Sequence, residues 1–139
     1  MNRVHWQALA EERIRAAQTL LSAGLWSSAY YVAGYAVEFG LKSCILSHVA
    51  NTGVIFEEKD FSQKCWTHSI RDLVKLAGIE AEWKADIAAN LVLEKNWAIV
   101  NQWSEKSRYQ NKTQIEAEEL YNAINDHPNG VMSWIRSRW

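Results

Sequence analysis

The segment from Ser27 to His48 reads SSAYYVAGYAVEFGLKSCILSH and contains no proline and only two charged residues. At 100° per residue, its small side chains fall on one side of a helix: Ala29, Ala33, Ala36, Gly40 and Cys44. Small residues let a neighbouring helix approach closely. The segment therefore predicts a long central helix with almost no face for solvent, in the middle of a small helical bundle.

The opposite side of this helix carries Tyr31, Tyr35, Glu38 and Lys42, at positions i, i+4, i+7 and i+11. One interpretation is structural, since a Glu–Lys pair four residues apart stabilises a helix by roughly 0.2–0.5 kcal/mol. The two phenols would then seal the bundle with their hydroxyls in water. The other interpretation is a binding surface, and the residues alone leave both open.

The length of 139 residues predicts one domain, 1–139, and 48% hydrophobic residues are typical of a folded protein. A formal charge of −1 argues against binding of nucleic acid through a net positive charge, although a local basic patch is compatible with it. No basic-then-apolar leader and no long uncharged apolar run occurs, so we expect a soluble, cytoplasmic protein without a membrane partner. Cys65 and His68 are too few ligands for zinc, so we expect no metal and no cofactor.

Periodicity predicts helices at 5–23, 27–48, from Thr67 to Gly78, at 79–104 with a break near Lys95-Asn96, at 114–126, and a last turn or two at 131–139. We expect Ser27 or Ser28 to cap the second helix, Thr67 the third, and a Thr113–Glu116 capping box the fifth. The pattern fails over 51–66, which predicts a long loop with a short strand-like or helical piece at 54–56. The predicted fold class is therefore all-α, a small helical bundle around the second helix.

Four sequence elements occur in a recognisable order. A first helix AEERIRAAQTLLSAGLWSSA leads into an aromatic-rich helix ending in A-x-E-x-x-L-K, here Ala36, Glu38, Leu41 and Lys42. Thr67-His68 follows the variable loop, with Ile70 and Leu73 behind it, and Ser107-Arg108-Tyr109 precedes the capped helix. Over nearly its whole length the chain resembles the HEPN family, small helical-bundle domains of prokaryotes associated with nucleotides and RNA.

The resemblance implies an up-and-down bundle of four to five helices that is usually a homodimer. Many relatives form a toxin–antitoxin pair with a minimal nucleotidyltransferase. Other members are metal-independent RNases with an R-x4-6-H motif, in which histidine moves a proton and arginine stabilises phosphorane-like charge. No arginine of this chain is followed by histidine at that spacing: after Arg108 the positions are Thr113, Gln114 and Ile115. We therefore expect a subunit that binds a nucleotide, RNA or partner rather than the usual RNase, and leave open whether it is an enzyme.

The candidate ligand-binding residues are Tyr31, Tyr35, Glu38, Lys42, His68, Arg108 and Tyr109. A structural alternative has Glu38 and Arg108 as a buried ion pair between helices. A catalytic alternative is an RNase with a rewired site, in which Arg108 stabilises charge and His68 or Tyr109 moves the proton. In a third alternative, a dimeric assembly module, the partner face would be formed by tryptophans and arginines near the end of the chain: Trp134, Trp139, Arg136 and Arg138.

Overall fold

The computed structural model describes residues 2–139, which form eight α-helices and no strand. The helices are α1 (Arg3–Ser22), α2 (Trp26–Thr52), α3 (Phe61–Lys64), α4 (Ile70–Leu76), α5 (Glu80–Ala89), α6 (Leu91–Val100), α7 (Gln114–Asn125) and α8 (Val131–Arg136). Two 3-10 turns lie at Val54–Phe56 and Glu105–Tyr109. Five helices have ten residues or more, and the other three are short. The prediction of an all-α bundle is confirmed, and no helix of residues 2–139 is long and apolar enough to cross a bilayer.

The first two helices form an antiparallel hairpin, because Gly24 at φ +74° reverses the chain. The predicted serine cap is wrong. Helix α2 begins one residue earlier, at Trp26, and its N-cap Leu25 offers no side-chain hydrogen bond. Ser27 Oγ instead accepts a hydrogen bond of 2.8 Å from the Lys112 amide, which ties the segment before α7 to the start of α2.

Helix α2 is the centre of the core, and two glycines let large side chains contact its backbone. A Cβ at Gly40 would lie 2.9 Å from Ile135 of α8. A Cβ at Gly34 would lie 2.1 Å from the Trp103 ring, whose Nε1 donates to the Tyr31 carbonyl at 3.2 Å. Trp103 thereby fixes the end of α6 and the following Glu105–Tyr109 turn against α2.

The loop predicted over 51–66 is shorter in the structure, because α2 continues to Thr52 and residues 61–64 form α3. The predicted short piece at 54–56 is a 3-10 turn. Two apolar side chains, Val54 and Phe61, are buried and hold the segment between α2 and α4 against the helices. Two aromatic side chains point outward instead: Phe56 is 94% exposed and Trp66 is 79% exposed.

Two helix starts differ from the predictions because a better cap lies nearby. Ser69, not Thr67, caps α4, since its Oγ accepts from the Asp72 amide at 3.3 Å. The break predicted at Lys95-Asn96 lies at Asn90, whose Oδ1 accepts from the first amides of α6. The Thr113–Glu116 capping box of α7 is confirmed.

The partner face predicted near the end of the chain is wrong for Trp134, which is buried in the core. Its Nε1 donates to Asp86 Oδ2 at 2.8 Å, and the Arg138 guanidinium lies 3.9 Å from its ring centroid. Arg136 Nε donates to Glu11 Oε1 at 2.7 Å, so Arg136 already has a partner within the chain. Trp139 is half-buried against the core. These side chains therefore hold α8 to α1 and α5.

Candidate functional site

The site is built on Glu38, a carboxylate of α2 that is only 1% exposed. Oε2 lies 3.2 Å from Lys42 Nζ, one helical turn away, and Oε1 lies 2.8 Å from His68 Nδ1. A buried charge is tolerated only when it is paired and hydrogen-bonded, and both oxygens of Glu38 meet that condition. The predicted pair of Glu38 with Arg108 is therefore wrong, because Lys42 and His68 take both carboxylate oxygens.

His68 lies just before α4, where the turn of Thr67 and Ser69 holds the backbone outside the helix. A carboxylate accepts hydrogen bonds, so it favours the imidazole tautomer with hydrogen on Nδ1. In that tautomer Nε2 carries a lone pair. The side chain is 45% exposed, so the ring is anchored on one side and open on the other. A histidine held in this way can accept a proton or hydrogen-bond a ligand.

Tyr31 and Tyr35 continue the line of side chains along α2. Their hydroxyl oxygens are 3.4 Å apart, and their rings pack edge-to-face with centroids 5.1 Å apart. The centroid of the Tyr35 ring also lies 5.0 Å from that of the Trp103 ring and 6.3 Å from that of the His68 ring. Burial, followed by the hydrogen bond to Tyr31, raises the pKa of Tyr35, so its phenol stays protonated at neutral pH.

Arg108 and Tyr109 form the far end of the line, on the 3-10 turn after Trp103. The Arg108 guanidinium lies 4.6 Å from the Tyr109 ring centroid and also donates to the Tyr109 hydroxyl. This hydrogen bond raises the pKa of Arg108, which keeps the guanidinium charged. Both side chains are exposed. No carboxylate pairs with Arg108 within residues 2–139.

The structure thus places the predicted site residues along α2, the start of α4 and the Glu105–Tyr109 turn that packs against α2. We call this set the tyrosine–arginine surface: Lys42, Glu38, His68, Tyr35, Tyr31, Arg108 and Tyr109. Two contributors were missed. Trp103 supports Tyr35, and Trp6 of α1 lies 5.2 Å from the Lys42 ammonium. The one signal for Trp103 is Gly34, a glycine inside a helix that leaves room for a large ring.

The described residues contain no group of three histidine, cysteine, aspartate or glutamate side chains placed to hold an ion. Cys65 and His68 gain no third ligand from residues 2–139. Burial raises the pKa of the Cys65 thiol, which favours the neutral form over the thiolate that binds metals.

A family model described as HEPN domain matches residues 4–136, nearly the whole chain. The chain belongs to the HEPN family. No curated protein sequence and no solved structure matched it. In this HEPN domain the A-x-E-x-x-L-K element supplies the buried carboxylate and its lysine, and the Thr67-His68 element supplies the histidine on that carboxylate. The Arg108-Tyr109 element lies at the other end of the same surface.

Proposed function

We propose that this HEPN domain binds a nucleotide or a short stretch of single-stranded RNA on the tyrosine–arginine surface. The observation that carries the proposal is Arg108, an exposed cation with no carboxylate partner in residues 2–139 that lies over an exposed tyrosine ring. A structural arginine is normally paired with an acidic side chain, as Arg136 is with Glu11. Arg108 donates to the Tyr109 hydroxyl, and its remaining N–H groups are available to a ligand.

The chemistry of the surface fits the parts of a nucleotide. A guanidinium donates two parallel hydrogen bonds to phosphate oxygens, and this geometry makes arginine a common phosphate-binding residue. The ring of Tyr109, 75% exposed, offers a face on which a base can stack. His68 Nε2 can accept a hydrogen bond from a ribose hydroxyl. A net charge of −1 is compatible with such a local site, since one arginine and stacking carry the contact.

The test is binding of fluorescently labelled single-stranded RNA, and of ATP in parallel, by the protein and by Arg108→Ala. Loss of one charge-assisted phosphate contact weakens binding by about 1.5–3 kcal/mol, or roughly tenfold to a hundredfold. Arg108→Lys keeps the charge but loses the planar fork, so we expect an intermediate affinity. Lys106→Ala is the matched control, because Lys106 is an exposed cation of the same turn. Equal losses in Lys106→Ala and Arg108→Ala would reduce the effect to general charge and contradict the proposal.

A second candidate function, a metal-independent RNase with a rewired site, is favoured by the 2.8 Å contact between His68 Nδ1 and Glu38. A carboxylate that orients an imidazole is the arrangement of a general base. His68 would take the proton of the ribose 2′-hydroxyl, and Arg108 would stabilise charge on the phosphate. Cleavage of RNA in EDTA by the wild-type protein, lost in His68→Gln and in Arg108→Ala, would support this candidate. If the wild-type protein leaves RNA intact, the RNase candidate is contradicted and only the binding function remains.

We further propose two partners on the strength of the family: a second copy of the chain, and a nucleotidyltransferase with which it forms a toxin–antitoxin pair. Light scattering of the purified protein tests the first, and a monomer at all concentrations contradicts it. Co-expression with a nucleotidyltransferase encoded beside its gene tests the second. Failure to co-purify, with both proteins folded, contradicts it.

A further inference from the structure

A cavity of about 490 Å³ lies beside the C-terminal half of α2, apart from Arg108 and Tyr109. One wall consists of Ile45, Leu46 and Val49 of α2, and the opposite wall comes from Phe61 and Trp66 of the segment before α4. Its volume lies within the roughly 300–1,000 Å³ of typical small-molecule sites. The walls are mostly hydrocarbon, so an occupant must bring an apolar body.

Lys42 is the one charged side chain that lines the cavity, and it lies where the cavity meets the tyrosine–arginine surface. Its ammonium is 3.2 Å from Glu38 and 5.2 Å from the centroid of the Trp6 ring. An ammonium has three donors, and Glu38 uses one of them. Lys42 can therefore donate a hydrogen bond to an anionic group of a ligand while it keeps its bond to Glu38.

The segment that covers the cavity also exposes apolar surface to solvent. Trp66 lines the cavity and is 79% exposed, although a tryptophan normally buries most of its large ring. An occupant would cover the inner face of this ring. Exposed aromatic side chains beside an apolar cavity are typical of binding sites rather than of ordinary surface.

We propose that this cavity binds a small amphipathic monoanion, with a carboxylate or similar group on Lys42 and a hydrocarbon or aromatic body between α2 and Trp66. The site does not rest on the proposed RNA binding, since it shares only Lys42 with the tyrosine–arginine surface and does not involve Arg108. Lys42 is hydrogen-bonded to Glu38, and Glu38 in turn orients His68. An anion bound to Lys42 would therefore be separated from His68 only by the Glu38 carboxylate.

The probe is decanoate, titrated into the protein by calorimetry below its micelle concentration, with decanol as the uncharged comparison. We expect decanoate to bind more tightly than decanol. Lys42→Met keeps an unbranched apolar side chain that is one atom shorter and has no charge. It should weaken decanoate binding by about tenfold and leave decanol binding unchanged. Lys84→Met is the matched control, because Lys84 pairs with Glu80 at the same i, i+4 spacing on α5.

A second variant tests the cavity without touching a charge. Val49→Trp fills the space between the walls and should abolish binding of both probes, whereas Val92→Trp, at an exposed position of α6, should bind like wild type. Equal affinity for decanoate and decanol, or binding unaffected by Val49→Trp, would overturn the proposal. Self-association in sedimentation that Val49→Trp disrupts would also overturn it and assign the cavity to a second copy of the chain. Arg108→Ala should not change decanoate binding, which separates this result from the test of RNA binding.

Discussion

Glu38 and His68 are thirty residues apart in the sequence, and their side chains meet at 2.8 Å between Oε1 and Nδ1. The carboxylate is buried and the imidazole is half-exposed, so the pair connects the core of the bundle to its surface. Such a contact has two consequences. It stabilises the position of the segment before α4, and it presents one histidine nitrogen to a ligand.

Removal of the Glu38 carboxylate is predicted to destabilise the fold. Glu38→Ala leaves Lys42 without its partner and a cavity beside α2, and we expect the free energy of unfolding to fall by about 2–4 kcal/mol. Urea denaturation followed by circular dichroism measures the change. Glu80→Ala is the control, since Glu80 is half-exposed and its ion pairs with Lys75 and Lys84 are worth about 0–1 kcal/mol. A Glu38→Ala variant as stable as Glu80→Ala would show that the buried pair adds nothing to stability.

Arg108→Ala is predicted to leave stability unchanged within about 0.5 kcal/mol, because Arg108 is exposed and contacts chiefly Tyr109. This separates a ligand-binding arginine from a structural one. Thermal melting of Arg108→Ala beside Arg136→Ala makes the comparison, since Arg136 forms a two-bond ion pair with Glu11. A drop of several degrees in Arg108→Ala alone would assign Arg108 to the fold rather than to a site.

Gly34→Ala is predicted to disturb the site through the core. The added Cβ would lie 2.1 Å from the Trp103 ring, so the ring must move, at a cost of about 1–3 kcal/mol. Trp103 fixes the turn that carries Arg108, so RNA affinity should fall along with stability. The double variant Gly34→Ala/Trp103→Leu, which makes room for the methyl group, should recover part of the stability relative to Gly34→Ala. Ser28→Ala, exposed on the same helix, is the control and should change neither property.

The sequence was sufficient to predict α2 and its stripe of polar residues, because helical periodicity places Tyr31, Tyr35, Glu38 and Lys42 on one face whatever surrounds them. It offered the Glu38–Lys42 pair, which the structure contains, but it did not identify His68 as the second partner of Glu38. The choice between His68 and Arg108 depends on how the segment before α4 returns to α2, and no local pattern encodes that path. The sequence identified Arg108 as a site residue for its motif, and the structure adds that its turn is held by Trp103.

The missed helix starts have a simpler cause. Thr67 and Ser69 are both good N-cap residues, and the sequence pattern does not choose between them. The structure uses both, with Thr67 Oγ1 accepting from the Ser69 amide and Ser69 Oγ accepting from Asp72. At Asn90 the cap was overlooked because the apolar pattern of α5 runs into that of α6 without a break in period.

The capping box of α7 predicts a pH dependence of stability. Hydrogen bonds from the Thr113 amide and then its hydroxyl lower the pKa of Glu116 below its ordinary value of 4.5. A lowered folded-state pKa means that the stabilisation is present above pH 4.5 and is lost as the pH falls through the folded-state value. Glu116→Gln keeps an oxygen acceptor but cannot titrate. The difference in unfolding free energy between wild type and Glu116→Gln should therefore shrink from about pH 6 to about pH 3, while Glu119→Gln, exposed on the same helix, should show no such trend.

The two cysteines are predicted to differ sharply in reactivity. Cys44 is 2% exposed, and burial raises the pKa of its thiol to about 12, so almost no thiolate is present at neutral pH. Cys65 is half-buried on the wall of the apolar cavity, and burial raises its pKa while the nearby Lys42 charge lowers it. A thiol reagent at pH 8 should therefore modify one cysteine per chain, identified as Cys65 by mass spectrometry of the peptides. Cys65→Ser should then be unreactive until denaturant is added, and rapid modification of Cys44 in the folded protein would contradict its burial between α2 and α8.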